Sequence, residues 1–236
     1  MSGPLVIIPM TGIGEIGPGD DLASIIAEAA RQTSDGLRDG DVLVVTQKVV
    51  SKAEDRVVDV DPEVGHKPLV ERESVRVLRR RGDLIISETE HGFVCANAGI
   101  DLSNVEAGRA ALLPVDSDRS ARRIRDALTH RFDVDVAVVV SDTFGRPWRR
   151  GVTDVAIGCA GIRPVVDLRG TSDALGRELQ VTEVAVVDEI ASAAELVMGK
   201  ADGVPVAIVR GIDPLWLGDG SVLADVVRDP AEDLFR

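Results

Sequence analysis

Apolar runs of strand length alternate along this chain with segments whose apolar residues recur at the spacing of an amphipathic helix. Such alternation favours folds that layer helices against sheets. Strands are predicted at residues 5–9, 41–46, 84–87, 92–95, 136–140 and 204–209. Helices are predicted at residues 21–33, 71–81, 120–130 and 182–198, with a surface helix in the acidic tail from residue 219. We therefore expect an α/β fold with mixed sheets, not a simple doubly wound Rossmann fold.

The formal net charge of −13 argues against a nucleic-acid partner, because non-specific nucleic-acid binding needs a basic surface. The same charge requires that an anionic substrate meet local cations or metal ions. No apolar run approaches the ~18 residues of a membrane helix, and residues 1–4 lack the basic start of a signal peptide. We therefore expect a cytoplasmic protein with no membrane partner. Cys95 and Cys159 lie in small, apolar surroundings without zinc-site spacing, which predicts two buried thiols.

The motif GIGEIG at residues 12–17 matches a glycine-rich dinucleotide fingerprint after a predicted strand. That fingerprint requires a helix that begins inside the motif and points its N-terminus at the pyrophosphate. Here Pro18 and Gly19 follow at once, and Asp20 or Asp21 is predicted to cap a helix that begins later. A dinucleotide-dependent dehydrogenase is therefore not favoured. The loop can still approach a nucleotide, and an ordinary strand-to-helix turn is the alternative.

Two lysines and two hydroxyl residues follow the predicted second strand, in the segment TQKVVSK at residues 46–52. Lysines at a strand end can bind phosphate groups. The alternative interpretation is that Lys48 and Lys52 are ordinary solvated surface residues.

Two further segments concentrate oxygen ligands of the kind that Mg²⁺ or Mn²⁺ prefers. NAGIDLSN at residues 97–104 combines amides and a hydroxyl with the carboxylate of Asp101. SDTFGRPWRRG at residues 141–151 directly follows the most apolar strand, and α/β proteins place their sites at the ends of central strands. Its Asp142 and Thr143 can bind a divalent cation, while Arg146 can neutralise phosphate or carboxylate oxygens. An Asx-rich turn and a surface loop with ion pairs are the respective alternatives.

Asp101 and Asp142 together predict a metal site that bridges nucleotide phosphates, with Asp142 and Arg146 as catalytic residues. Such chemistry depends on positioning and charge neutralisation at the transferring phosphoryl group. The three histidines show no ligand or triad spacing, and the chain has no GxSxG elbow or Walker loop. Nucleophilic hydrolase chemistry is therefore not supported.

These segments resemble the coenzyme F420-0:L-glutamate ligase family. The resemblance includes NAGID with the following SN, SDT with GR, and the run VSKAE at residues 50–54. It continues in order through GREL at 176–179, VDEIA at 187–191, LVMGK at 196–200 and VRG at 209–211. The resemblance implies a GTP-dependent ligase that adds L-glutamate to the lactyl carboxylate of F420-0 through an acyl phosphate. Further glutamates then join by γ-linkage.

The resemblance also implies roles for individual residues and cofactors. Its nucleotide-binding residues are Thr11, Gly12, Ile13, Gly14, Lys52 and Asn104. Its metal ligands are Asp101, Asp142 and, on a second ion, Thr143. The implied cofactors are two Mg²⁺ or Mn²⁺ ions and K⁺. Gln47 and Lys200 differ from some relatives, which carry a small hydroxyl residue and an acidic residue at these two positions.

The implied fold is an α/β domain of two intimately linked subdomains in an intertwined homodimer. We expect residues 1–236 to form this single ligase domain, without the nitroreductase-like domain that follows it in some relatives. The implied partners are the small molecules GTP, L-glutamate and F420-0. Two alternatives use the same residues: a metal-dependent phosphohydrolase and a non-catalytic GTP-binding module.

Overall fold

The computed structural model describes residues 3–33 and 36–233. The strands are β1 (Val6–Met10), β2 (Val42–Thr46), β3 (Val57–Asp59), β4 (Ser74–Arg81), β5 (Leu84–Thr89), β6 (Val94–Ala96), β7 (Arg109–Ala111), β8 (Ala137–Gly145), β9 (Val152–Ala160), β10 (Val166–Asp167), β11 (Glu183–Val184) and β12 (Val206–Arg210). The helices are α1 (Leu22–Gln32), α2 (Gln47–Ala53), α3 (Lys67–Arg72), α4 (Ser117–Phe132), α5 (Val186–Met198) and α6 (Val222–Asp225). Short 3-10 turns occur at Asn97–Gly99, Pro214–Trp216 and Pro230–Glu232.

The central sheet has five strands in the order β1-β12-β2-β8-β9. The pairing of β2 with β8 is parallel, and the other three pairings are antiparallel. Residues 42–45 and 137–140 are fully buried, as expected for central strands covered on both faces, which read as continuous apolar runs. Helix α4 packs on β8 and β9, and α5 packs on β9, β12 and β1. The prediction of an α/β fold with mixed sheets is confirmed.

Three smaller sheets, β3-β7, β4-β5-β6 and β10-β11, accompany the central sheet. A second group of buried apolar residues lies apart from the main core and comprises Val70, Ile85, Ala98, Ile100, Ala110 and Leu112. Helix α2 contacts this group through two hydrogen bonds to the carbonyl oxygen of Leu112, from Gln47 Nε2 at 2.9 Å and from Ser51 Oγ at 2.6 Å. The division into two linked subdomains stays a prediction.

The predicted helix at residues 71–81 is wrong. Helix α3 ends at Arg72, and Ser74–Arg81 forms β4, which pairs with β5. Gly82, with a φ of 61°, lies in the two-residue turn between the paired residues Arg81 and Leu84, as in a tight hairpin. Two register shifts in β4 interrupt the alternation of its side chains, so the sequence lacks a clear strand pattern. Pairing with β5 overrides the local preference.

Most other element predictions are confirmed, with shifted ends. Helices α1, α4 and α5 overlap their predicted ranges, although α4 begins three residues earlier, at Ser117, and α5 later, at Val186. Asp21 caps α1 by accepting a hydrogen bond from the backbone N–H of Ser24 at 3.1 Å. Cys95 and Cys159 are both buried thiols, as predicted. Within the described residues, none of the helices has the length and apolar character needed to cross a membrane.

The N-terminus of α4 is fixed against β9 by a buried carboxylate and a glycine. Asp118 accepts hydrogen bonds from the backbone N–H of Cys159 at 2.7 Å and from Ser221 Oγ at 2.7 Å. Gly158 approaches α4 so closely that a Cβ atom there would lie 2.3 Å from the carbonyl carbon of Ser117. Because no side chain fits in this space, the position of α4 depends on glycine in β9.

Gly158→Ala should lower the free energy of unfolding by about 1–3 kcal/mol, because the added methyl group overpacks the contact between α4 and β9. Gly145→Ala is the matched control, since a Cβ at Gly145 meets nothing within 4 Å. Denaturant unfolding of both variants measures the difference. Equal stabilities of the two variants would contradict a steric role for Gly158.

Candidate active site

A cavity of about 640 Å³ lies beside the carboxyl end of β2 and the second half of β8. These two strands run parallel with Thr46 opposite Ser141, so residues that follow both strands reach one edge of the sheet. The remaining walls come from residues 13–16, residues 104–106, the start of β9 and the segment after α5. The volume is typical of small-molecule sites, which span roughly 300–1,000 Å³.

Asp101 is held next to Asp142 by its own backbone. Its N–H donates to the carbonyl of Ala111 at 3.0 Å, and its carbonyl accepts from the Ala111 N–H at 2.8 Å. In the side chain, Oδ1 accepts from the backbone N–H of Ser103 at 2.7 Å and Oδ2 lies 2.5 Å from Lys48 Nζ. Burial opposes ionisation, but the hydrogen bonds from Lys48 and Ser103 hold the pKa of Asp101 below its usual range. Asp101 is therefore an anion at neutral pH.

Asp142 lines the cavity in a very different electrostatic state. Burial raises the pKa of Asp142 to about 7, and the nearby carboxylates of Asp101 and Asp154 act in the same direction. The backbone N–H of Thr143 and the ammonium of Lys48 oppose this rise only in part. Among the described residues, no lysine or arginine forms an ion pair with Asp142. A cation that entered the cavity would therefore meet an uncompensated carboxylate.

Asp154 is a cavity residue that the sequence analysis missed. Its register in the β8–β9 hairpin places it opposite Thr143, and it is 2% exposed. Its Oδ2 accepts from Ser141 Oγ at 3.0 Å, and its Oδ1 accepts from Thr143 Oγ1 at 2.6 Å and from Lys200 Nζ at 3.1 Å. An acidic residue within a largely apolar strand was the available signal, because such a residue needs buried partners.

Three lysines line the cavity, and each contacts a carboxylate. Lys48 pairs with Asp101, and the largely buried Lys52 pairs with Glu15. The third is Lys200, which contacts Asp154 and Glu195. Burial lowers the pKa of Lys200, but the hydrogen bonds to Glu195 and Asp154 outweigh it and raise the pKa above its usual value. The lysines therefore supply positive charge locally in a chain whose formal net charge is −13.

Most of the predicted nucleotide-binding residues meet in the cavity, but not all of them. The structure places four of them in the cavity wall: Ile13, Gly14, Lys52 and Asn104. Thr11 and Gly12 are exposed neighbours of this loop and do not line the cavity. The first helix begins only at Leu22, which confirms the prediction that it starts after the GIGEIG motif. Among the predicted metal ligands, Asp142 and Thr143 line the cavity and Asp101 lies beside it.

Arg146, predicted to be catalytic, lies in the exposed turn between β8 and β9 and does not line the cavity. Its Nη2 lies 3.5 Å from the carbonyl oxygen of Arg150 in the same turn. Its catalytic role stays a prediction.

The neighbouring carboxylates of Asp101 and Asp142 fit one particular kind of metal site. Among residues 3–33 and 36–233, no three His, Cys, Asp or Glu side chains converge on a single metal position. Mg²⁺ is commonly held by one or two carboxylates together with substrate phosphates and water. The pair therefore fits a divalent cation shared with a phosphorylated ligand, and does not fit an ion enclosed by protein alone.

A family profile described as F420-0:Gamma-glutamyl ligase matches residues 12–211. This chain belongs to that family. "Coenzyme F420:L-glutamate ligase" of Methanothermobacter thermautotrophicus is 42% identical, over 98% of this chain and 98% of that protein. The protein of the same name from Methanopyrus kandleri is 45% identical, over 94% of this chain and 94% of that protein. The one from Methanocaldococcus jannaschii is 39% identical, over 85% of this chain and 86% of that protein.

As a member of the F420-0:gamma-glutamyl ligase family, the protein is a ligase. All residues that line the cavity, from Ile13 to Pro205, lie inside the matched span. The cavity is therefore formed by the part of the chain that the family shares.

In the metal-free ligase, Asp142→Asn should raise the free energy of unfolding above pH 7 by a few kcal/mol. The folded state binds a proton at Asp142 up to about pH 7, whereas an ordinary aspartate releases it near 3.8, so stability falls as pH rises through this window. Asparagine does not titrate, so the advantage of the variant should grow between pH 4 and 7 and then stay constant. At ~1.4 kcal/mol per pKa unit, the full effect reaches about 4 kcal/mol.

Denaturant unfolding with a chelator present, repeated from pH 4 to 8, measures this difference. Asp83→Asn is the control, because Asp83 is exposed and the neighbouring Lys67 lowers its pKa. That variant should gain no stability over the same range. If the free energies of unfolding of Asp142→Asn and the wild type differed by the same amount at every pH, the pKa of Asp142 would not be raised in the folded state.

Proposed function

We propose that this ligase joins L-glutamate to coenzyme F420-0 in a GTP-dependent reaction of coenzyme F420 biosynthesis. The first glutamate joins the lactyl carboxylate, and further glutamates join by γ-linkage. Family membership and the names of the relatives support the substrates. The observation that carries the mechanism is that Asp142 and Lys48 line the cavity and that the Asp101 carboxylate lies beside both of them.

The proposed reaction has two steps. The carboxylate of F420-0 attacks the γ-phosphorus of GTP, the bond from that phosphorus to the bridging oxygen breaks, and GDP leaves. The amine of L-glutamate then attacks the acyl carbon, loses a proton and displaces inorganic phosphate. Each glutamate added therefore consumes one GTP and releases one GDP and one phosphate. Enzymes catalyse such phosphoryl transfer mainly by positioning groups and neutralising charge.

Asp101 and Asp142 are the proposed ligands of the divalent cation, Mg²⁺ or Mn²⁺. When bound, this ion neutralises charge on the phosphate oxygens. Lys48 and Lys52 lie at the same strand end, and each is paired with a carboxylate that phosphate oxygens can replace. We propose that both lysines bind the phosphates of GTP. A K⁺ ion is also proposed, from the family resemblance.

The backbone of Ile13 and Gly14 is proposed to run along the nucleotide, since both residues line the cavity. Asn104 is also proposed to contact the nucleotide, because residues 104–106 form another part of the cavity wall. Thr11, Gly12 and Arg146 are exposed and do not line the cavity. Their contacts with the substrates stay predictions. Arg146 would neutralise an anionic substrate in this scheme.

We propose that the ligase acts as a cytoplasmic homodimer on small molecules, without a nucleic-acid partner. The family resemblance supports the dimer. The strongly exposed apolar side chains of the described residues include Val152 at 62%, Leu175 at 94% and Val181 at 85%.

Incubation with GTP, Mn²⁺, L-glutamate and F420-0, with products resolved by mass, tests the proposed function. We expect a product heavier by one or more glutamyl units and GDP formed in equal amount. Phosphate release without any need for glutamate would indicate the phosphohydrolase instead. Binding of GTP without turnover would indicate the non-catalytic module.

Lys52→Met should raise the Michaelis constant for GTP about ten- to a hundredfold, because a hydrogen bond to a charged group contributes ~1.5–3 kcal/mol. Lys67→Met is the matched control, since Lys67 pairs with Asp83 at 2.7 Å and does not line the cavity. Steady-state kinetics with GTP as the varied substrate compares the two variants. The same Michaelis constant in both would remove Lys52 from the GTP site.

A further inference from the structure

We propose that the ammonium of Lys200 takes the place of a second divalent cation, so that this ligase binds one divalent metal ion per chain. The proposal rests on the proposed function, because it concerns the same cavity and the same phosphorylated ligand. The family resemblance implies two ions, with Thr143 on the second. The contacts of Thr143 point to a cation that the chain itself provides.

Lys200 Nζ contacts three oxygen atoms at once. It lies 3.1 Å from Asp154 Oδ1 and 2.9 Å from Glu195 Oε1, and it donates to Thr143 Oγ1. A lysine ammonium has three N–H donors and no acceptor, so each donor has one partner. Two carboxylates and a hydroxyl form the kind of oxygen set that also binds a hard divalent ion. The ammonium therefore occupies the position that a metal ion at Thr143 would need.

The hydroxyl of Thr143 is oriented by a buried partner. It donates its single hydrogen to Asp154 Oδ1 at 2.6 Å and turns a lone pair towards Lys200. The other oxygen of Asp154 accepts from Ser141 Oγ at 3.0 Å, and the Asp154 side chain is 3% exposed. Because these groups are fixed within the β8–β9 hairpin, a metal ion at Thr143 would have to expel the ammonium.

The backbone also holds Lys200 at this position. Gly199 ends α5 with a φ of 61°, and its N–H donates to the carbonyl of Glu195 at 3.0 Å. The side chain of Asn104 reaches across the cavity and donates from Nδ2 to the carbonyl of Lys200 at 3.2 Å. A cation directly after a helix C-terminus is also favoured by the helix dipole.

The other predicted metal position differs from this one. Lys48 Nζ pairs with Asp101, and no lysine or arginine among the described residues forms an ion pair with Asp142. A divalent ion shared by Asp101 and Asp142 therefore displaces at most the single contact between Lys48 and Asp101. An ion at Thr143 would have to displace an ammonium group that contacts two carboxylates and a hydroxyl, so the two positions differ in the contacts that a metal ion must break.

Titration of Mn²⁺ into the full-length ligase with saturating GDP, followed by the electron paramagnetic resonance signal of free Mn²⁺, counts the ions bound per chain. We expect one ion in the wild type and one in Lys200→Arg, which keeps the charge. Lys200→Met should bind two, because it frees the oxygens of Thr143, Asp154 and Glu195. The two ions in that variant should couple magnetically, since paired metal sites are about 3.5–4 Å apart.

Two ions in the wild type would overturn the proposal, and so would a single ion in a folded Lys200→Met variant. Thermal unfolding establishes whether that variant is folded, and if it is not, the counts in the wild type and Lys200→Arg decide. No bound Mn²⁺ in any variant would overturn the proposal and also remove Asp101 and Asp142 as metal ligands. A count of one with no glutamylated product would reject the proposed reaction alone.

Discussion

The parallel pairing of β2 with β8 is the constraint on which the cavity depends. Its register sets Thr46 opposite Ser141, so α2 with its lysines and the second half of β8 meet at one edge of the sheet. Strand β8 then pairs with β9, where a register shift beyond Val140 is followed by Thr143 opposite Asp154. A slip of one residue in either pairing would turn these side chains to the other face of the sheet. The geometry of the site is therefore a consequence of sheet register.

The cavity brings three carboxyl groups close together, which costs stability unless a cation or a proton offsets the repulsion. Burial raises the pKa of Asp142 to about 7, and Asp101 and Asp154 add to the repulsion. Two of the three neighbouring acids are already stabilised, Asp101 by Lys48 and Asp154 by Lys200. Asp142 is the acid left to a ligand, and strongly perturbed groups of this kind are concentrated at functional sites. The same residue thus destabilises the metal-free fold above its pKa and is the centre of the proposed chemistry.

The sequence predicted those helices and strands that local patterns determine, and it missed those that depend on pairing with a distant segment. Helix α1 and the first half of β8 were predicted correctly, because the cap at Asp21 and an apolar run are local signals. Residues 141–145 were predicted to follow that strand, but pairing with β9 makes them its second half. Strand β4 was not, because its conformation comes from pairing with β5. Asp101 and Asp142 were found from ligand-rich segments, whereas Asp154 was missed because only the hairpin register brings it to Thr143. Residue types in a segment can indicate metal ligands, but the position of Asp154 beside them depends on the pairing of β8 with β9.

The acids described above differ in the kind of partner that surrounds them. Asp118 accepts from the backbone N–H groups of Cys159 and Val222, and Asp41 forms two hydrogen bonds of 2.7 Å with Arg210. Backbone donors and a planar guanidinium are fixed in direction, so these two acids hold elements of the fold together. At the cavity, Lys48 and Lys52 each pair with one carboxylate, and an ammonium group on a flexible stem can move to another oxygen. Asp101 and Glu15 can therefore exchange partners when a phosphorylated ligand enters. Lys200 has three oxygen contacts and stays in place, and Asp118 and Asp41 hold elements of the fold together.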